Sequence, residues 1–524
     1  MTGAPHEPPP APGLATTWDP ATGHPERRRV LAICCLCLVL VVVAVSSLNV
    51  AIPTILEDLQ PSSSQLLWIV DSYGLSFAGL LLLAGAIGDR FGRKGALLGG
   101  LTVFGLAALA ASFAPGPETL IATRAVMGVG AAFVMPATLS IVTSVFPPQE
   151  RAHAIATWAG FAGAGGALGP LMGGFTVEHF GWASVFLVNI PFVVVAMVLV
   201  SRFVPTSRDT EERRLDVVGA VLSVVALSAL LFGIIEGPEQ GWGSPVVLGA
   251  FAGAVVVTAV FVAWELRVDE PMLDPRFFRI PAFTAGSGVI TSVFFGMFGM
   301  FFMLTQYLQF VKGYSPFLAG LANTPSAITM LVVAPRSASL VLRFGARRVV
   351  TTGMVLIAAA FAIYSLLSPT TSYLAVALAL VVGATGMGLA MAPASTAIVS
   401  SLPLSKAGVA SAVNDVTREV GGALGIAVLG TVLTARFTSL MLERIPDAVP
   451  DQIRSGASSS ISAAFAIADR LPSGMTEQAA ALRDAARSAF TDAFNSAFVV
   501  SAALLAVMAV VAYRAVPDGH GTDH

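Results

Sequence analysis

Charge is what this sequence has least of. Only 11% of its 524 residues are Asp, Glu, Lys or Arg, against roughly 25% in an ordinary soluble chain. That shortage excludes a soluble fold with a normally solvated surface. Cysteine is almost absent too, and the three present, Cys34, Cys35 and Cys37, share one apolar run. No disulfide framework can form elsewhere. With no His beside them a metal site is not expected, and they read as small apolar residues in lipid or helix contacts. The His residues fall mostly in the tails and edge loops. No nucleotide-binding loop occurs, and no cluster of His, Cys or acids shares one depth. A membrane-embedded enzyme or receptor is therefore disfavoured, and no cofactor is expected. A net charge of −2 without a basic block gives nucleic acid no footing.

What is abundant is apolar sequence. Hydrophobic residues make up 55% of the chain, in recurring runs of about 20, the length that crosses a bilayer as a helix. In lipid such runs must satisfy their own backbone, so they are helices. Reading between charged or Pro/Gly-rich breaks places fourteen of them, near 30–53, 66–87, 95–115, 119–146, 153–177, 182–201, 217–236, 245–265, 282–308, 316–341, 349–368, 373–401, 407–436 and 490–513. Residues 1–29 are a Pro-, Gly- and Thr-rich leader expected to be disordered. The run from Val30 to Ile52 that follows is too long for the apolar stretch of a signal peptide. Between the last two helices, 437–489 is a long, polar extracellular loop with helical character from Ala479 to Ala489, and a helical hairpin is one reading of it.

Charge placement orients this topology. With the N-terminus inside, short inner segments collect Arg27 to Arg29, Arg90, Arg93, Lys94, Arg151, Arg202, Arg343, Arg347, Arg348, Lys406 and Arg514. Short outer loops collect only Lys312, the positive-inside pattern. Both termini are thus expected in the cytoplasm. The helices group as six, two and six. A six-helix bundle spans 30–202, a linker with two additional helices 203–281, a second bundle 282–514, and a cytoplasmic tail 515–524. Arg90-Phe91-Gly92 after the second helix recurs as Arg343-Phe344-Gly345 after the tenth, and such internal repeats are typical of secondary transporters.

The strongest local signal is Gly85-Ala86-Ile87-Gly88-Asp89-Arg90-Phe91-Gly92-Arg93-Lys94. Its glycines permit a tight turn, Asp89 suits a helix N-terminus, and its basic residues anchor at headgroups. Positive-inside charge alone explains Arg93 and Lys94 but not the glycine spacing. This segment resembles the loop signature of the major facilitator superfamily. Further motifs are similar to those of its fourteen-helix drug:proton antiporter branch, the EmrB/QacA-like group. By that likeness Asp89 stabilises one conformation through contact with the second half; the second copy has Leu342 in its place. Gly165, Gly169 and Gly173, with Pro170 and Gly174, form a bare stripe on the fifth helix to which another helix can pack closely. The stripe resembles the antiporter motif that separates exporters from importers.

Charges inside the membrane are few, so each one counts. Asp71 on the second helix and Arg124 on the fourth lie about five positions below the outer ends, at similar depth. A partly desolvated carboxylate can exchange a proton near neutral pH and can attract a cation, so one group could couple the two flows; the alternative is an interfacial carboxylate facing headgroup water. Arg124 matches the family's fourth-helix arginine, associated with proton transfer. Many relatives carry an acid in the first helix where this chain has Ala44, which puts dicationic substrates and the usual proton stoichiometry in question. On the thirteenth helix, Asn414, Asp415 and Arg418 form a second polar group, equally readable as a structural pair. Gln306, Tyr307 and Gln309 are further candidates for substrate contact.

The expected fold is an all-α integral membrane protein, two six-helix bundles plus a central pair lying peripherally. The expected activity is proton-coupled export of an amphipathic, often cationic drug, dye or antibiotic across the cytoplasmic membrane. The partners are small-molecule substrate, protons and the lipid bilayer, and a single chain is expected to suffice. The alternative is an exporter of one endogenous lipid or metabolite.

Overall fold

The computed structural model describes residues 22–61, 63–207, 216–269, 271–403, 406–445, 451–472 and 475–517. Most of the leader, the basic stretch around Arg213 and most of the tail lie outside them. The helices are α1 (Arg27–Leu59), α2 (Ser63–Phe91), α3 (Arg93–Ser112), α4 (Pro117–Val145), α5 (Pro148–Phe180), α6 (Ser184–Leu187), α7 (Asn189–Phe203), α8 (Val217–Gln240), α9 (Pro245–Glu265), α10 (Pro281–Gln306), α11 (Pro316–Leu321), α12 (Thr324–Phe344), α13 (Ala346–Tyr364), α14 (Tyr373–Ser400), α15 (Ala407–Arg444), α16 (Asp451–Ser459), α17 (Ile461–Arg470) and α18 (Thr476–Ala515). No strand occurs among the described residues. The fold is the all-helical membrane architecture that the apolar runs demand.

Thirteen helices among the described residues are long and apolar enough to cross a membrane. Of the fourteen expected crossings, the fifth falls on α5, which at 33 residues is long enough but is diluted in hydropathy by its glycines. Burial sorts the helices into layers. In α4, 78% of the apolar window is buried, against 17% in α9, so α4 is central and α9 outermost. Several starts are set by side chains that meet the otherwise unpaired first N–H groups. Asp216 accepts from Gly219 N at 2.8 Å, Ser244 from Val247 N at 3.3 Å and Ser315 from Leu318 N at 3.2 Å.

One expected element differs and one gains detail. The run 316–341 is two helices, α11 and α12, because Pro325 in the first turn of α12 has no N–H to continue the ladder. Buried Asn323 covers the break by donating to Ala319 O at 3.0 Å. The polar segment 437–489 is largely helical: α15 runs on to Arg444, α16 and α17 form a pair, and α18 begins at Thr476.

Each half repeats the same close contacts. α3 packs on α4 and α13 on α14, α1 on α5 and α10 on α15. A Cβ built on Gly100 would stand 2.8 Å from Gly130 O, and one on Gly353 would stand 2.6 Å from Gly386 O. Gly100 lies as far beyond Gly92 as Gly353 lies beyond Gly345, so the repeat continues from the loop into the bundle. On α5 the stripe Gly165, Gly169, Gly173 faces Val42, Ser46 and Ser47 of α1; on α15, Gly421 and Gly425 face Thr291 and Phe295 of α10. Small residues let backbones approach where lipid offers no hydrophobic drive. Between the halves, α2 packs on α15 and α5 on α12, while α8 packs on both α2 and α15.

Gly130→Val and Gly386→Val are expected to lower thermal stability in detergent by about 1–3 kcal/mol each, the usual cost of overpacking. Gly99→Ala, where nothing lies within 4 Å, should leave the melting temperature unchanged or slightly raised. Equal melting of all three would show that the glycine contacts do not hold the helices.

Candidate functional site

The loop between α2 and α3 turns on Gly92, whose φ of 115° lies in the region that favours glycine. The second copy does the same with Gly345 at φ 84°, and in both an arginine lies 5.1 Å over the adjacent ring, Arg90 on Phe91 and Arg343 on Phe344. Asp89 is buried at 6% exposure. It caps a helix, but a distant one. Its carboxylate accepts from Gly408 N at 2.7 Å and Val409 N at 3.2 Å, N–H groups in the first turn of α15 that have no partner within their own helix. The positive end of that helix favours the charge. Arg93 Nε donates to the same carboxylate at 2.9 Å and Ser140 Oγ approaches at 3.5 Å. Gly85 makes the contact possible, since a Cβ there would lie 2.5 Å from Gly408 O. The second copy has no such partner: Leu342 is 90% exposed.

Arg124 is buried at 1% exposure. Its Nε donates to Ile69 O at 3.1 Å and Nη2 to Val70 O at 3.5 Å, while its guanidinium lies 4.5 Å over the ring of Tyr73. Asp71 is within electrostatic reach. The two residues chosen by depth are therefore neighbours. Half-buried Asp71 lines a small pocket with Trp68 and Leu75 of α2 and Phe232, Ile235 and Glu236 of α8. The Trp68 and Phe232 ring centroids are 6.2 Å apart. Peripheral placement thus describes α9 but not α8, one wall of this pocket. Glu236, hydrogen-bonded to Gln240 at 2.6 Å, went unnoticed because an acid near a helix end reads as an interfacial residue.

On α15, Arg418 Nη1 lies 3.4 Å from Asp415 Oδ1, and Asn414 Nδ2 donates to the same oxygen at 3.4 Å. The Arg418 guanidinium is 4.7 Å from the Trp158 ring of α5 and 5.3 Å from Phe294 of α10, a cation held on aromatic faces. Trp158, which sequence reasoning missed, is fully buried and donates to Thr138 of α4 at 3.2 Å. A lone Trp in the uncharged stretch of α5 between Arg151 and Glu178 was the available signal.

The remaining candidates lie elsewhere. Tyr307 donates to Ser368 O at 2.7 Å and stacks on Phe494 at 5.1 Å, beyond the end of α10 in a π-helical turn, Tyr307–Val311. Thirteen residues separate it from Phe294, roughly 20 Å along the helix axis. Gln306, with its amide on Phe302 O at 3.3 Å, and Gln309 share that end. The structure does not bring these three to Asp415. On α5, Gly174 faces Phe317 of α11, and Pro170 abuts Gly320. Groups of three or more potential metal-ligating side chains are absent among the described residues.

The chain is 36% identical over 423 residues to the multidrug efflux pump LfrA of Mycolicibacterium smegmatis, covering 80% of this chain and 84% of that protein. It is 39% identical to the methylenomycin A resistance protein of Streptomyces coelicolor, covering 74% and 82%. Two solved structures share the fold with a TM-score of 0.60 each: the human organic anion transporter MFSD10, at 15% identity over 92% of this chain and 100% of that one, and a bacterial homologue of the human lysosomal transporter Spinster, at 18% over 94% and 98%. The family model described as the Major Facilitator Superfamily matches residues 34–426. With the paired glycine loops and the relatives agreeing, this chain belongs to the Major Facilitator Superfamily.

Proposed function

We propose that the chain is a proton-coupled efflux antiporter of the fourteen-helix drug-export branch, moving amphipathic, cationic drugs, dyes or antibiotics out of the cell. One observation carries the reading. Arg124, buried beneath the carbonyls of Ile69 and Val70, sits beside Asp71, so a carboxylate and its countercharge meet inside the membrane. Such groups are expensive in lipid and mark ion and substrate pathways. The ionised carboxylate holds a cation and the protonated one does not, and that exclusion couples the two flows. The relatives named for multidrug efflux and for antibiotic resistance support the same direction of transport.

In this reading the bundles are 30–202 and 282–514, with 203–281 carrying the additional pair, and the arginine-rich end faces the cytoplasm. One chain completes the cycle by alternating access. The cap of Asp89 on α15 holds the cytoplasmic ends together and must release for loading from inside. A narrower cargo, one metabolite rather than many drugs, has one observation in its favour: Ala44, buried at 3% exposure, leaves the first helix without a second acid for a dication.

In vesicles with an imposed pH gradient, ethidium export by wild type should be lost in Asp71→Asn, with the protein still folded and its affinity for the cationic dye weakened. Export that survives unchanged would make Asp71 an interfacial carboxylate. Wild type that moves no dye would favour the narrow cargo. For the latch, Asp89→Asn removes one partner of a buried charge pair, a change of about 3–5 kcal/mol in proteins generally. Spin labels at Gly95 and Leu342, both exposed, should then report a longer distance between α3 and α12; an unaltered distribution would remove Asp89 as the latch.

A further inference from the structure

The inserted helices α8 and α9 meet at their inner ends, where two acids face one another. Asp216 stands twenty residues before Glu236, roughly 30 Å along α8 from the pocket that Asp71 lines. We propose that Asp216 and Glu265 form a separate proton-binding site, one proton shared between two carboxyl groups, whose occupancy sets how firmly the connection after α9 holds the first turn of α15. The proposal goes beyond the antiport reading and takes from it only that this end of the molecule faces the cytoplasm.

Gly219 brings the two groups together. A Cβ built on it would lie 2.4 Å from Asp216 Oδ2 and 2.5 Å from Glu265 Oε1, so the two oxygens stand within about 5 Å of each other, where one negative charge opposes a second. Their surroundings are unlike. Asp216 is fitted to carry the charge: its carboxylate accepts from Gly219 N at 2.8 Å and from Trp264 Nε1 of α9 at 2.9 and 3.1 Å. It also sits at the start of α8, where an anion is favoured. Glu265 is 2% exposed. Its Oε2 accepts from Leu273 N at 3.4 Å, but Oε1, the oxygen beside Gly219, is buried without a hydrogen-bond partner. A bare carboxylate oxygen there has no donor to meet and a like charge next to it. A protonated one is itself a donor, and a small rotation brings it to Asp216. Two acids in environments this different divide into one ionised and one protonated partner.

The site is tied to the other half of the molecule. Pro271 and Leu273 belong to one connection; Glu265 holds Leu273, and Lys406 Nζ donates to Pro271 O at 2.8 Å. Lys406 directly precedes α15, and two residues on is Gly408, whose N–H Asp89 caps. Among the described residues, Asp216 and Lys406 are the charged groups that reach Glu265. With the proton in place, the ends of α8 and α9 stay closed and Lys406 stays on Pro271. When the proton leaves, two like charges repel, and together they draw the Lys406 ammonium away from Pro271, shifting the turn that Asp89 caps. One O–H bond forms on arrival of the proton and breaks on its release. The latch is therefore firm when the interior is acid and loosens as internal pH rises, which slows an antiporter that would otherwise admit more protons.

The test uses the full chain in lipid nanodiscs, as wild type, Glu265→Gln and Asp216→Asn, with no dye and no gradient, so its result is independent of whether the chain exports ethidium. Asn also accepts at a helix start, so Asp216→Asn keeps the cap and removes the charge. In infrared difference spectra across the neutral pH range, wild type should show a protonated-carboxyl band that Glu265→Gln removes. The midpoint of that band should fall by about one pH unit in Asp216→Asn, because the neighbouring charge is gone. A spectrum that Glu265→Gln leaves unchanged, or a midpoint that Asp216→Asn does not lower, overturns the shared proton. Hydrogen exchange, corrected for its intrinsic pH dependence, reads the tie to α15. Amides of residues 271–280 and of the first turn of α15 should exchange faster above the midpoint in wild type and stay protected in Glu265→Gln. If Glu265→Gln does not fold, the exchange profile of Asp216→Asn should move with its lowered midpoint. Exchange that rises equally in Glu265→Gln, or that does not follow the midpoint in Asp216→Asn, overturns the link to the latch.

Discussion

A carboxylate on the first turn of a helix from the other half of the molecule is the contact on which the arrangement depends. Asp89 meets Gly408 N and Val409 N, and neighbouring residues serve that meeting. Gly85 and Gly408 lack side chains because their backbones nearly touch. Buried Arg93 balances the charge from behind, and Ser140 of α4 approaches the same oxygen. Charge-assisted hydrogen bonds of this kind are strong while water is excluded. They can also be exchanged, because water satisfies a carboxylate and a helix N-terminus equally well once the helices part. That is what the proposed latch requires, and a hydrophobic junction, which has no polar substitute, would not supply it.

The contacts within each half are of another kind. Gly100 against Gly130 and Gly353 against Gly386 put backbone on backbone, with many small dispersion contacts and few ways to slide. The glycine stripe of α5 on α1 and that of α15 on α10 act likewise. Rigid halves joined by exchangeable polar contacts are what a rocking motion needs. A packed interior shifts between discrete arrangements and does not deform continuously, so the place to look for movement is where polar groups, not glycines, meet.

Much of this was legible in the sequence. Apolar runs marked the crossings, and the Arg-Phe-Gly pairs fell on turns with a positive-φ glycine and the same ring contact. Equal depth did bring Asp71 and Arg124 near each other. What escaped was partnership over distance. The N–H groups that Asp89 caps are more than 300 residues away, and no local pattern names them. Arg124 binds backbone carbonyls, which carry no sequence signal at all. Gln306 and Tyr307 were candidates for substrate contact because they are polar, yet the length of α10 holds them apart from the polar residues of α15. The break at Asn323 was visible in Pro325 but hidden in an apolar run long enough to be one helix.

The repeat duplicates the scaffold and not the charges. Counting from the paired loops, Leu342 stands for Asp89, and from the paired glycines of α4 and α14, Leu380 stands for Arg124. The glycines of α5 and α15 in turn set Ala159 and Ala162 opposite Asp415 and Arg418. Asp89, Arg124, Asp415 and Arg418 each stand opposite an apolar residue in the other half. Two identical halves would offer equal interiors, and a proton would find no distinct stations between them. With Asp71 and Arg124 in the first half and Asp415 and Arg418 in the second, the two bundles carry unlike groups. In the proposed antiporter, an uneven set of charges on an even frame gives a proton distinct stations.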